Sequence, residues 1–287
     1  MRASHRRAFF FAAAAALWAG PWPVSAGLGP DAFPPMGELL GEEAPDLPTR
    51  PLGGLRDALV EPPSFEKGLR GLRSDSPAVQ RSAVRSLARP GNARAVPYLG
   101  ALLIRSDADA RVRLAAAHAL GRVGDWRGLE FLRQGSEDPD PNVRFAAALS
   151  LGKLRGNDAV ALLEGSVMRD GHWWVRYAGA IALGEARNPA AVPALAKALD
   201  DDPQWQVRQQ AARSLGEYRS RTAMDALGRG LRDSDPAVRY ASARELGAFG
   251  GLDSVALLQD ATELEREELP RARMGASIKQ LVSAEEP

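Results

Sequence analysis

The chain has no cysteine, only three histidines, and only four lysines beside 33 arginines in 287 residues. Without cysteine there are no disulfides, no thiolate metal sites and no lipid anchor attached through a cysteine. Two histidines, His118 and His172, lie beyond the first 26 residues, followed by Ala119 and Trp173. That is too sparse for a histidine-based metal centre. No segment alternates apolar and polar residues in the manner of a strand. The longest apolar run, 8–19, falls short of the roughly 20 residues that cross a bilayer. A large basic excess is also missing, since 37 basic residues face 36 acidic ones. Nucleic-acid binders neutralise phosphates with such an excess, so nucleic acid is not an expected partner. The preference for arginine over lysine is read as genome composition.

The first 26 residues have the three parts of an export signal. Arg2, Arg6 and Arg7 make a basic start with no acidic residue, 8–19 is apolar, and Val24-Ser25-Ala26 forms a small-x-small cleavage site. A periplasmic or secreted protein with no membrane span after cleavage is expected. The stretch 5–10, His-Arg-Arg-Ala-Phe-Phe, also resembles the twin-arginine export motif, so both the general and the twin-arginine routes stay open. Removing residues 1–26 leaves 34 basic and 36 acidic residues, a net charge of −2 instead of +1. Residues 27–64 carry eight prolines and little hydrophobic periodicity. They read as an extended, mobile linker, with a brief helical turn near 52–60.

Repeats fill the rest. Val79, Val112, Val143, Val175, Val207 and Val238 are spaced 33, 31, 32, 32 and 31 residues apart. Eight residues after each comes Leu87, Leu120, Leu151, Leu183, Leu215 or Leu246, and twelve further on Leu99, Leu132, Leu163, Leu195, Leu227 or Leu258. Each copy therefore predicts two helices. Helix A carries the Val, a small residue four on and the first Leu, with small-residue runs such as Ala146-Ala147-Ala148 that let helix axes approach. Helix B carries the second Leu. In the stretch 138–154, Asp140 reads as the N-cap, Pro141 as the first helical residue and Gly152 as the left-handed turn that closes the helix. Residues 65–73 read as an isolated helix B. Residues 270–282 read as a final helix A, with Leu281 in the Leu position and Arg273 in the Val position. The expected fold is an all-α solenoid of six helix pairs between half-repeat caps, spanning 65–283.

The motif Asp-Pro-x-Val-Arg, a small-residue run and Leu-Gly, plain in 140–152 and 235–247, resembles the HEAT-like repeats first described in phycobilin lyases. The resemblance implies an armadillo-type, right-handed superhelix with the B helices on its concave side. Members range from binding scaffolds to a few enzymes, so activity does not follow from the fold. One enzyme of similar fold, deoxyhypusine hydroxylase, holds two irons on His-Glu pairs, and this sequence has none. His118 reads as a packed histidine. HEAT-like DNA glycosylases use Trp, Asp and Arg on a basic face, which the near-neutral charge counts against. Neither a Gly-x-Ser-x-Gly nucleophile nor a phosphate loop is present.

Three constellations could carry function. Arg113, Arg144, Arg176, Arg208 and Arg239 each follow a Val, with Gln80 breaking the series. They make either a stripe for an anionic partner or a ladder between repeats, and similar HEAT repeats imply the ladder. Asp140, Asp170, Asp202 and Asp235 are its available carboxylates. The second is His172, Trp173 and Trp174 with Trp205. Trp173 and Trp205 both stand two residues before a Val, where other copies have Pro77, Pro141 or Pro236, so the fold does not require them. Tryptophan is enriched in binding hot spots, while packing over inter-repeat loops is the alternative. Trp126 falls on the opposite edge and is set aside. The third is the outer surface of the B helices, including Glu130, Gln134, Lys197, Asp225 and Arg229, whose mixed charge favours a protein partner. Tyr98 and Phe131, one position before anchor leucines, read as core. The expected function is a monomeric protein-interaction scaffold without a cofactor or enzymatic activity. The alternative is a lyase-like or oxidoreductase-like HEAT enzyme or chromophore-handling protein.

Overall fold

A computed structural model describes residues 63–283 other than residue 166. The chain divides into the units Met1–Leu47 and Pro48–Pro287, and all described residues belong to the second. The segment expected to be an export signal, 1–26, and the body of the proline-rich linker lie outside the described residues.

Among the described residues every α-helix and short 3-10 turn belongs to one repeating pattern, and no strand occurs. The chain opens with a B-type helix, α1 (Pro63–Leu72). Six pairs follow: α2 (Pro77–Leu87) with α3 (Val96–Leu103), α4 (Ala110–Val123) with α5 (Leu129–Gly135), and α6 (Pro141–Leu154) with α7 (Asn157–Gly165). The last three are α8 (Trp173–Ala186) with α9 (Val192–Asp201), α10 (Trp205–Leu215) with α11 (Arg221–Gly230), and α12 (Pro236–Phe249) with α13 (Leu252–Leu264). An A-type helix, α14 (Glu268–Ser283), ends the array. A helices pack on A helices and B helices on B helices, giving two layers.

The anchors do what their spacing predicts. Val112, Val143, Val175, Val207 and Val238 are fully buried, and so are the leucines eight residues on. Val79 is 46% exposed, because no A helix precedes α2. Asp109, Asp140 and Asp235 cap their helices by accepting a backbone N–H two residues on, each at 2.8 Å. Pro77, Pro141 and Pro236 begin their helices, where the missing N–H leaves nothing unpaired.

Two local expectations need correction. Gly152 lies inside α6 and does not close it; Arg155 takes the left-handed conformation at φ 58°, as Arg187 does after α8 at φ 50°. A Cβ on Gly152 would lie 2.6–2.9 Å from the Ala182 backbone. This glycine is selected by the approach of the next A helix. Gly121 against Ser150 and Gly184 against Ser214 repeat the contact.

The final helix is shifted by three residues from its expected register. Gly247 faces Ser277 as Gly184 faces Ser214, and the Ser277 hydroxyl donates to the Ala243 carbonyl as Ser214 donates to Ala180. Pro270 therefore fills the Val position and Ile278 the Leu position. Leu281 is buried one turn later, and Arg273 has no anchoring role. The Val-for-Pro exchange hid the register.

Candidate functional site

The five A-helix arginines form a ladder of identical rungs. The Nε of Arg113, Arg144, Arg176, Arg208 and Arg239 donates to one carboxylate oxygen at 2.5–2.7 Å. Nη2 donates to the other oxygen at 2.9–3.1 Å. The acceptors are Asp138, Asp170, Asp202, Asp233 and Glu265, each in the following repeat. Asp170 and Asp202 are as expected. Asp138 and Asp233 replace Asp140 and Asp235, whose side chains are occupied as caps.

Each rung reaches backward as well. Nη1 of Arg144, Arg176, Arg208 and Arg239 donates at 2.8–2.9 Å to the main-chain carbonyl of the preceding rung's carboxylate residue. Each carboxylate also accepts the backbone N–H two residues on, at 2.8–2.9 Å. One continuous polar chain thus runs from Arg113 to Glu265. Bidentate pairing fixes orientation as well as distance. Hydrogen bonding to the carboxylate raises the guanidinium pKa values of Arg113, Arg176, Arg208 and Arg239. Burial pushes the Asp170 and Glu265 carboxyls up, but the arginine and N–H bonds outweigh it and hold both below their ordinary values. The arginines are therefore committed to architecture and do not form an open cationic stripe for an anionic partner.

The ladder has unequal ends. Gln80 holds the Leu72 carbonyl at 3.4 Å in place of a first rung. Arg271 stands six residues after Glu265, as Arg239 follows Asp233, yet it is exposed with no carboxylate partner among the described residues.

The aromatic group resolves into separate environments. Trp174 is 9% exposed and packs edge-on against His172 at 4.6 Å and Trp173 at 6.1 Å. Trp173 is half-buried beside Tyr177, with ring centroids 6.5 Å apart. His172 is bound to the ladder, with its Nδ1 3.0 Å from Arg144 Nη2. Trp205 begins α10 and is 39% exposed. Trp174 is thus core, while Trp205 and the outer parts of His172 and Trp173 remain accessible.

One residue, Tyr98, was misjudged from sequence. Tyr98 is 44% exposed, and Trp126, at 77%, is the most open indole among the described residues. The three-residue turn carrying Trp126 packs on α3, which carries Tyr98. Phe131 is half-buried with its ring over Gly100, as a core reading predicts.

On the B layer, Lys197 pairs with Asp201 at 2.6 Å, and Arg229 grips Asp200 through Nη2 at 2.8 Å. A cleft of about 370 Å³ beside them is lined by Asp200, Arg208, Arg229, Arg232 and Asp233. Its charges largely satisfy one another. On the A layer, His118 is partly buried, and burial, with Lys153 nearby, pushes its imidazole down to about 4. Among the described residues no helix is long and apolar enough to cross a membrane.

The repeat geometry agrees with the family comparison. The profile of HEAT repeats matches residues 65–138, 103–183, 130–212 and 192–279. The chain belongs to the HEAT repeat family. None of the curated proteins matches it. Among solved structures it is similar to the complex of CpcE and CpcF of phycocyanin lyase from Nostoc sp. PCC7120, at 23% identity over 83% of this chain and 100% of that one, with a TM-score of 0.47. Human deoxyhypusine hydroxylase shares 24% identity over 78% of this chain and 86% of its own, with a TM-score of 0.39. Kap95p, in its complex with RanGDP, shares 14% identity over 77% of this chain and 37% of its own, with a TM-score of 0.51. The last likeness supports the α-solenoid fold.

Proposed function

We propose that this chain is an exported HEAT-repeat scaffold that holds a protein partner, acting in the periplasm or outside the cell and without enzymatic activity. The observation that carries the reading is the engagement of all five ladder arginines between repeats. It produces a stiff frame whose surface is preorganised for binding. The contact patch is the edge formed by His172, Trp173 and Trp205, flanked on the B layer by Lys197 and Arg229. Rigid amphipathic indoles at a solvent edge are the side chains that most often dominate protein interfaces. The export reading rests on residues 1–26.

Affinity capture from envelope extract tests the proposal, with a Trp173→Ala/Trp205→Ala variant beside the wild type. A partner retained by the wild type and lost from the variant, at equal melting temperature, supports it. A stoichiometric chromophore or metal on protein purified from its own host would replace the scaffold with a cofactor-bearing protein.

A further inference from the structure

The described array opens and closes on unlike halves. It begins with α1, a B helix without an A helix before it, and ends with α14, an A helix without a B helix after it. Together the two halves make one whole repeat. Placing α1 of a second copy after α14 of the first continues the A-B alternation unbroken. It sets α2 against α14 in one layer and α1 against α13 in the other, as the internal helices stack.

The internal repeats show which residues such a joint brings together. In the B layer, the residue after an anchor Leu faces the residue before the next anchor, as Gly100 faces Phe131 and Gly228 faces Leu257. By that rule α13 turns Leu252, Ala256, Gln259 and Glu263 outward, and all four are exposed. In α1 the triplet 71–73, Gly-Leu-Arg, matches 230–232, which puts Gly68 in the anchor position and Lys67 and Arg70 on the receiving side. Both are exposed. Setting Gln259 against Lys67 brings Glu263, one turn on, to Arg70. In the A layer, the outward side of α14 holds Leu269, 59% exposed, with Ala272 and Ala276, and the receiving side of α2 holds Val79 and Ser86.

The charges at these ends are opposite. Residues 252–268 contain six acidic residues and one basic, a net of −5, while residues 63–89 contain six basic and two acidic, a net of +4. Asp253 and Glu265 are already paired, with Arg221 and Arg239. Asp260, Glu263, Glu267 and Glu268 are exposed without an ion pair among the described residues, and so are Lys67, Arg70 and Arg73. The ladder is open at the same two places. Arg271 lacks a carboxylate, and Ser74 stands six residues before Gln80, where rung carboxylates stand elsewhere. The Ser74 hydroxyl accepts the Ser76 N–H at 3.2 Å, as Asp138 accepts that of Asp140. Asp75, beside it, is exposed and unpaired among the described residues.

We propose that the N-terminal end of this solenoid binds the C-terminal end of a second copy, completing the split repeat and joining chains head to tail. Lys67 and Arg70 of one copy meet Asp260 and Glu263 of the other, Val79 lies against Leu269 and Ala272, and Arg271 reaches Asp75. Lys279 stands two residues after Ser277, where Gly152 follows Ser150 and brings the internal helices close. The joint is therefore looser than an internal one, and reversible. It is heterologous, so each addition leaves a free end. Such association replaces the monomer expected from sequence. It is independent of the scaffold proposal, whose contact patch lies on α8 and α10.

Sedimentation velocity of the chain expressed in its own host, followed over a wide concentration range at low ionic strength, tests the proposal. The expected result is mass that grows with concentration past the dimer and falls back in about 1 M salt. Lys67→Glu/Arg70→Glu and Asp260→Lys/Glu263→Lys should each weaken association at least about tenfold through like-charge contacts. All four positions are exposed, so the melting temperature should hold. The chain carrying both sets of reversals should associate again, and Lys279→Ala should tighten the joint. A monomer at every concentration overturns the proposal. So does a closed dimer, association that survives either reversal, or failure of the combined variant to recover it.

Discussion

Gly152 faces Ala182 across two adjacent A helices so closely that a methyl group on it would stand 2.6 Å from the Ala182 carbonyl oxygen. Gly152→Ala should therefore destabilise the protein, although alanine favours an isolated helix by about 1 kcal/mol. Overpacking costs about 1–3 kcal/mol, and urea unfolding should show a net loss. A gain in stability would show that the helices can part without penalty.

The ladder makes a graded prediction. Arg176→Ala leaves the Asp202 carboxylate, whose side chain is 5% exposed, without its partner. The cost should be about 3 kcal/mol, as for other buried pairs broken on one side. Arg271→Ala, at the open end of the same series, should change stability by less than about 0.5 kcal/mol. Thermal melts of the two variants separate a rung from an unmatched arginine. Equal effects would deny the pairing its structural role.

Acid should weaken the fold before the carboxylates titrate. His118 is held near 4 in the folded state, mainly by burial, against about 6.5 in an unfolded chain. Between those values the unfolded state binds the additional proton, so stability falls as pH drops from about 6.5 to 4. Each pKa unit corresponds to about 1.4 kcal/mol, giving a total on the order of 3 kcal/mol. Melting temperature against pH should slope in this window and flatten in His118→Gln. A slope that persists in the variant would place the titration elsewhere.

The tryptophans should divide by role. Trp174→Ala should cost about 3–5 kcal/mol, the range for deleting a buried aromatic side chain. Trp205→Ala should leave the melting temperature within about 1 °C and reduce partner retention. Calorimetry together with capture separates them, and a large stability loss in Trp205→Ala would remove it from the contact patch.

The fold was legible because Val, Leu and the second Leu recur at fixed offsets through six copies, and each anchor is buried for the same reason. The site was less legible. Asp138 and Asp140 stand two residues apart, and spacing does not reveal which caps a helix and which holds an arginine 25 residues away. Gly152 sits near a helix end, so its packing role resembles a terminating one in one dimension. Trp173 and Trp174 are neighbours in sequence but lie on different sides of α8, one half-buried and one core. Tyr98 and Phe131 both stand one position before an anchor leucine, and spacing does not reveal that one ring stays exposed while the other packs over Gly100.

From Arg113 to Glu265 the ladder joins each repeat to the next by one bidentate pair, and these links lie in series along the axis. Pulled from its two termini, the molecule would therefore carry load through single rungs in turn instead of sharing it across a sheet. Release should proceed one repeat at a time. Units of 31–33 residues would each add about 11 nm of extended chain, so a force–extension trace would show evenly spaced teeth. Under load the protein would behave as a series of similar units, stiff until one yields and able to lengthen stepwise without losing its remaining folded units.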